Sequence, residues 1–282
     1  TMRLANMGYV PTEIAENLKL PGEFLNESHV QGYYGTVSHN SKAVYAKYLG
    51  WYDGNPANLN PLPPVESAEK YVEYMGGTEE LVRKATKAFE EGDYRWIVQV
   101  MNHAVFADPT NTGVRNLQAD AFEQLGYQSE SGTWRNAYLT AARELRYGSL
   151  RIPASMGRQI AHAITIEHLF DMIGVRFNPE KYDYGPVRIN WHFTDLNEDH
   201  VLGIQRSTIY HDPLRKDDDA NAAIITTRKT IARILGAQET LEEALASEDL
   251  VIEGDERLVK SFFESQESFV TAPLIEPKGQ WG

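Results

Sequence analysis

Cysteine does not occur in the 282 residues, which excludes disulfides, thiol nucleophiles and cysteine-ligated zinc and leaves cysteine usage silent on compartment. Positive charge is scarce: 27 Lys and Arg stand against 40 Asp and Glu, a formal charge of −13. That balance opposes nonspecific binding to nucleic acid or to an anionic membrane surface. No apolar run approaches the ~20 residues of a membrane-crossing helix. The eight histidines form no H-x-H or H-E-x-x-H pattern, and there is no G-x-S-x-G elbow, phosphate-cradling glycine loop or dinucleotide fingerprint. The opening "TMRLANMGYV" has no basic region leading into an apolar one, as a signal peptide would. It reads as the end of a helix stopped near Gly8, so the chain is expected to be a piece of something longer, with its compartment unread. What remains is ordinary: 42% hydrophobic and 24% charged residues describe a globular protein, long enough to bury roughly 75% of its unfolded surface without staples.

Helical signals fill the first half. "PTEIAENLKLP" is a short helix with Thr12 as its expected cap, Glu13 and Glu16 at its positive end and Pro21 beyond it. It looks like the start of a DNA-binding helix-turn-helix, but no basic recognition helix follows. A second helix is expected over about Glu66–Met75, stopped by Gly76-Gly77, with Thr78 capping the next. From Thr78 to Arg146 the pattern stays helical, and Gly92 and Gly126 stand 34 positions apart, the period of tetratricopeptide helical hairpins. Near Gly148 the character changes. A helix is expected over about Ser155–Ile173, then strands in "GPVRINWHFTD", "DHVLGIQRSTIYHD" and "NAAIITTR", two helices, a strand in "LVIEG" and a last helix. Val187, Ile189, Trp191 and Phe193 alternate onto one face of a half-buried antiparallel strand. The expected fold is α+β overall: an all-α helical-hairpin, tetratricopeptide-like domain over 1–148, then an α+β domain over 149–282 with one sheet face covered.

Few residues carry chemistry. His162 and His168 are six apart on one expected helix, which does not bring two ligands to one face as three or four would. His200 and His211, beside Asp199 and Asp212, read as solvated turn residues flanking a strand. Zinc needs three or four converging ligands, and nothing local supplies them, so no residue is assigned to a metal. The segment 32–59, "GYYGTVSHNSKAVYAKYLGWYDGNPANL", is different: it packs five tyrosines, one tryptophan, one histidine and four glycines into a stretch with no clean period. Tyr and Trp combine an apolar body with a polar tip, and histidine is the side chain type that ordinarily changes charge near neutral pH. Such a wall suits an elongated, partly apolar ligand with a polar head; packed helix-junction aromatics are the other reading.

The same stretch, with "RLANMGYVPTEIAENLKLP" before it and "YVEYMGG" and "NHAVFADPTNTGVRNLQADAFEQLGYQSESGTWRNAYLTAARELR" after it, closely resembles the dimerisation domain of the zinc-dependent alkylsulfatases of the metallo-β-lactamase superfamily, the enzymes that hydrolyse dodecyl sulfate. "ITTRKTIARILG" through "DLVIEGDERLVKSFFES" resembles their last domain, related to sterol carrier protein type two. The resemblance spans essentially the whole chain. It implies hydrolysis of an alkyl sulfate ester to alcohol and inorganic sulfate, a binuclear zinc site in a lactamase-like N-terminal domain, and a homodimer. The zinc motif H-x-H-x-D-H is not in this sequence, so the zinc domain is expected as another part of the same chain or as a separate one, and this chain by itself is expected to be inactive. The resemblance further implies that the segment matching Tyr33 to Tyr48 closes the substrate pocket. His39 would lie near the sulfate as hydrogen-bond donor or acid, and Tyr33, Tyr34, Asn40 and Tyr48 would bind substrate. Tyr48 and Trp51 also read as helix-packing residues, and the apolar face of Val187, Ile189, Trp191 and Phe193 as plain core or as a groove for the alkyl tail. Two non-enzymatic readings stand beside it: a dimeric lipid- or surfactant-binding scaffold, and a peptide-binding helical adaptor.

Overall fold

The computed structural model describes residues 1–149, 164–267 and 275–277. The chain divides into two compact units, 1–150 with 272–282, and 151–271. The sequence-based division gave the whole of 149–282 to one domain. Ile275 instead packs against the first unit's core, and Glu276 pairs there with Arg115.

In the first unit the chain runs α1 (Met2–Ala5), α2 (Pro11–Asn17), α3 (Val37–Leu49), α4 (Pro64–Tyr74), α5 (Thr78–Glu90), α6 (Tyr94–Ala107), α7 (Thr112–Gln128) and α8 (Gly132–Tyr147). Two expected caps are displaced by one or two residues. Val10 is the N-cap of α2, its N–H donating to the Glu13 carboxylate at 3.0 Å, so Thr12 lies inside the helix. Gly77, at φ +88°, caps α5 and Thr78 is its first helical residue. The core gathers Leu81 and Ala85 of α5, Ile97, Met101 and Val105 of α6, Val114 and Ala121 of α7 and Leu145 of α8. Each large side chain buried there contributes roughly 1.5–3 kcal/mol.

The expected helical hairpins form, α5 with α6 and α7 with α8, but the two glycines 34 residues apart play different parts in them. Gly92 turns the chain between α5 and α6 at φ +81°. Gly126 sits inside α7, where an added Cβ would meet Leu139 Cδ2 at 2.8 Å. One glycine permits a backbone angle and the other permits α7 and α8 to approach. Arg146 of α8 fastens the same pair by bonding Glu123 and Asp120 of α7.

Among the described residues the first helix of the second unit is α9 (Ile166–Arg176), capped by Thr165; the expected start at Ser155 lies outside the described residues. Then come β1 (Val187–Phe193), β2 (Glu198–Gln205), β3 (Thr208–Asp212), β4 (Ala222–Thr226), α10 (Arg228–Leu235), α11 (Leu241–Ala246), β5 (Leu250–Gly254) and α12 (Glu256–Glu264). The sheet order is β3-β2-β1-β4-β5. β1 runs antiparallel to β2 and parallel to β4, so the sheet is mixed. "DHVLGIQRSTIYHD" is two strands, not one. Arg206 and Ser207, at φ 52° and 61°, make the two-residue hairpin turn whose twist suits paired strands. Gly203 leaves room for the Tyr210 ring, which a Cβ would strike at 2.0 Å.

The alternation in β1 is realised as core. Val187, Ile189, Trp191 and Phe193 are buried with Leu169, Phe170 and Ile173 of α9 and Leu258, Val259 and Phe262 of α12. Edge-to-face contacts join Phe170 to Trp191 at 5.4 Å and Trp191 to Phe262 at 6.1 Å between centroids. Trp191 and Phe193 have no exposed surface.

Candidate functional site

The segment around His39 is held by the first turn of α8, almost a hundred residues further along. Ser131 caps α8, accepting from Trp134 N. Its hydroxyl also donates to the Tyr34 carbonyl at 2.6 Å, and Thr133 Oγ1 donates to the same carbonyl at 2.7 Å. The Gly132 N–H donates to the Tyr33 carbonyl at 2.7 Å. Trp134 Nε1 reaches the ring of His39, donating to Nδ1 at 3.2 Å. Thr36 then caps α3, its Oγ1 accepting from His39 N at 2.9 Å.

Two helix starts, at Thr36 and Ser131, therefore flank one short loop, and the positive ends of both helices favour negative charge nearby. A cleft of about 190 Å³ between them is lined in part by Gly32, Thr36, Val37, Ser131 and Trp134.

The backbones of Tyr33 and Tyr34 are anchored while their rings stay outside; Tyr34 keeps 81% of its surface exposed. His39 and Asn40 are also exposed, and the Asn40 amide lies against Gly35, 3.0 Å from where a Cβ would be. These four residues share one loop and one helix start. Tyr48 does not join them. It lies nine residues on along α3, roughly 13 Å at 1.5 Å per residue, with Lys47 Nζ 5.8 Å from its ring centroid. Trp51 lies against Tyr52, the rings tilted and their centroids 5.6 Å apart, and is 75% exposed, so it does not pack this chain's core. Tyr45, on the same helix, is buried with Leu4 and Ile14.

Ser131, Gly132, Thr133 and Trp134 were not singled out individually from the sequence. The signal available was the S-x-x-W cap at a helix start, which says nothing about a loop ninety-odd residues away.

His200 and His211 correct the solvated-turn reading. His200, on β2, is 1% exposed; its Nδ1 meets His211 Nε2 at 2.9 Å and its Nε2 meets Glu198 Oε2 at 3.3 Å. His211 stacks on Phe170 with centroids 4.2 Å apart. Burial, and then the neighbouring His200, push its pKa below the ordinary histidine value. His192 Nδ1 pairs with Asp199 at 3.0 Å. The pairing of His162 with His168 falls outside the described residues. Among the described residues no three of His, Asp and Glu come together as a metal site.

Residues 10–148 match the alkyl sulfatase dimerisation family model and residues 154–272 the alkyl sulfatase C-terminal model. An alkyl/aryl-sulfatase of Saccharomyces cerevisiae is 44% identical over 99% of this chain and 43% of its own length. A linear primary-alkylsulfatase of a Pseudomonas species is 41% identical over 95% of this chain and 40% of its own. The chain belongs to the alkylsulfatase family. The structure of the stereoselective inverting sec-alkylsulfatase Pisa1 from Pseudomonas superposes with a TM-score of 0.88 at 39% identity, covering 98% of this chain and 44% of that one. This chain thus spans 40–44% of the length of these three alkylsulfatases. In family terms the His39 loop and α8 lie in the dimerisation domain, and the sheet lies in the C-terminal domain. Among the described residues no helix is long and apolar enough to cross a membrane.

Proposed function

We propose that this chain is the dimerisation and C-terminal part of an enzyme that hydrolyses alkyl sulfate esters to alcohol and inorganic sulfate, and that the face bearing Tyr33, Tyr34, His39 and Asn40 walls its substrate pocket. The observation that carries this reading is the exposed loop of rings and amide held by the start of α8, with an imidazole whose Nδ1 is already bonded. In that arrangement Nε2 of His39 is free to face a sulfate oxygen or the leaving oxygen. Asn40 and the Tyr34 hydroxyl are further donors, and hydrogen bonds to an anion are about twice as strong as neutral ones. The exposed rings offer the alkyl chain an apolar surface.

The described residues offer no seat for a metal, so the zinc pair that the family resemblance implies would be held by a lactamase-like domain, on the same or a separate chain. No step here runs through it. The helical unit makes the homodimer contact, which accounts for rings such as Tyr74, Tyr127 and Tyr147 at its surface.

The test is His39→Ala in the enzyme joined to its lactamase-like domain. Turnover of dodecyl sulfate should fall about 100-fold or more, as when one donor to a developing charge is lost, with Tm unchanged. Undiminished kcat in a folded variant would remove His39 from the site. The exposed rings also support a second reading, a dimeric surfactant-binding scaffold without enzymatic activity. That reading requires the chain alone to bind dodecyl sulfate with no need for metal.

A further inference from the structure

We infer that Trp134 is a positioning residue for His39: its indole N–H holds the imidazole as the neutral Nε2–H tautomer. His39 then serves as a hydrogen-bond donor to the sulfate and not as an acid that gives up a proton. This rests on the proposed site, and it decides between the two roles left open there.

An indole nitrogen can only donate, so the ring atom it meets must offer a lone pair. Trp134 Nε1 lies 3.2 Å from His39 Nδ1, and a neutral imidazole has one N–H. The proton is therefore on Nε2. Both partners are fixed independently of the bond. His39 is the third residue of α3, with its backbone N–H on the Thr36 hydroxyl. Trp134 stands in the first turn of α8, its ring edge-to-face with Tyr138 at 6.4 Å. Lys42 Nζ stands 5.9 Å from the same ring's centroid. Among the described residues nothing bonds to Nε2 of His39.

The consequence is chemical. A protonated imidazole carries N–H at both nitrogens, and its Nδ1–H would oppose the Trp134 N–H. Charging His39 and keeping this bond exclude one another. The neutral ring holds its remaining proton far more tightly than an imidazolium does, so it can point that proton at an anionic oxygen without transferring it. The opposite tautomer would turn a lone pair toward the sulfate and repel it. No bond to His39 forms or breaks, and its proton stays on Nε2 throughout; the leaving oxygen's proton comes from elsewhere.

The experiment has two arms. Two-bond ¹H–¹⁵N correlation spectra of the 282-residue chain, labelled at histidine, read the His39 tautomer directly at neutral pH. Nε2–H is expected in the parent chain, and Trp134→Phe, which keeps the ring and removes the donor, should give a mixture. An Nδ1–H ring in the parent, or an unchanged pattern in the variant, overturns the inference. In the second arm, the enzyme joined to its lactamase-like domain is assayed on dodecyl sulfate. Trp134→Phe should lower kcat roughly tenfold, the scale of one neutral hydrogen bond, with KM nearly constant. His39→Gln, which keeps a donor but has no acid form, should retain several times the activity of His39→Ala. Equal loss in the Gln and Ala variants would overturn the donor role. If His39→Ala leaves kcat untouched, the proposed site falls and the catalytic part of the inference with it, while the tautomer spectra still decide what Trp134 does to the ring.

Discussion

The two units treat their aromatic residues in opposite ways. In the second, Phe170, Trp191, Phe193 and Phe262 are sealed between α9, the sheet and α12. In the first, Tyr33, Tyr34, Tyr48, Trp51, Tyr74, Tyr127 and Tyr147 stand at the surface, while the core is built of smaller aliphatic and alanine side chains. So much apolar ring surface is not ordinarily left uncovered without a use for it. The second unit has the packing of a self-sufficient core, and the first has the surface of a part meant to be covered, by substrate, by a second copy or by another domain.

Truncations should sharpen that contrast. Trp191→Ala should destabilise the second unit by about 3–5 kcal/mol, seen as a lower urea midpoint for that unit's transition. Tyr34→Ala and Trp51→Ala, at exposed positions, should stay within about 0.5 kcal/mol while changing turnover or self-association. Equal costs at buried and exposed rings would break the comparison.

Gly126→Ala probes the close approach of α7 and α8. The added methyl would collide with Leu139; overpacking typically costs about 1–3 kcal/mol and the better helix residue returns about 1 kcal/mol. A net loss of about 1 kcal/mol in the first unit is expected by thermal denaturation, and a gain would mean that the helices part easily.

The smallest effect is a pH dependence of the second unit. The His211 pKa is depressed in the folded chain, by burial first and by His200 second, with Glu167, Asp212 and Asp171 opposing. The unfolded chain therefore takes up more protons as pH falls below about 6.5, the ordinary histidine value. Stability should be complete above that pH and decline below it, levelling once the folded pKa is passed. His211→Phe should flatten the slope of Tm against pH between 7 and 5; an unchanged slope would assign it to other groups.

Much of the fold was legible because it rests on local pattern. The period-2 alternation of β1, the β5 and α12 pair near the end, and the glycine stop at Gly76-Gly77 all stand where the sequence places them. The misses have physical causes. Arg206-Ser207 is a hairpin turn without the Asn-Gly that usually announces one, so two strands read as one. The 34-residue glycine spacing pointed to helical hairpins that do form, but not to the different parts of Gly92 and Gly126, because sequence does not show whether a glycine is needed for its backbone angle or for close packing. His200 and His211 looked solvated because sequence does not show that the two rings meet across β2 and β3 and that His211 stacks on Phe170.

The candidate site was legible in the same uneven way. Tyr33, Tyr34, His39 and Asn40 stood out by composition and lie together on one loop and the helix start that follows it. Trp134 was invisible because the only thing joining it to His39 is tertiary structure across 95 residues.

Hydroxyl-radical footprinting would test most directly the claim that the exposed rings of the first unit are built to be covered. The oxidation rates of Tyr34, Trp51 and Trp191 would be compared in this chain alone and in an enzyme that carries the lactamase-like domain proposed above. The account predicts that Tyr34 and Trp51 are oxidised rapidly in the chain alone and protected in the joined enzyme, with Trp191 slow in both. Equal rates for Tyr34 and Trp51 in the two forms would show that nothing covers this face and would contradict the account.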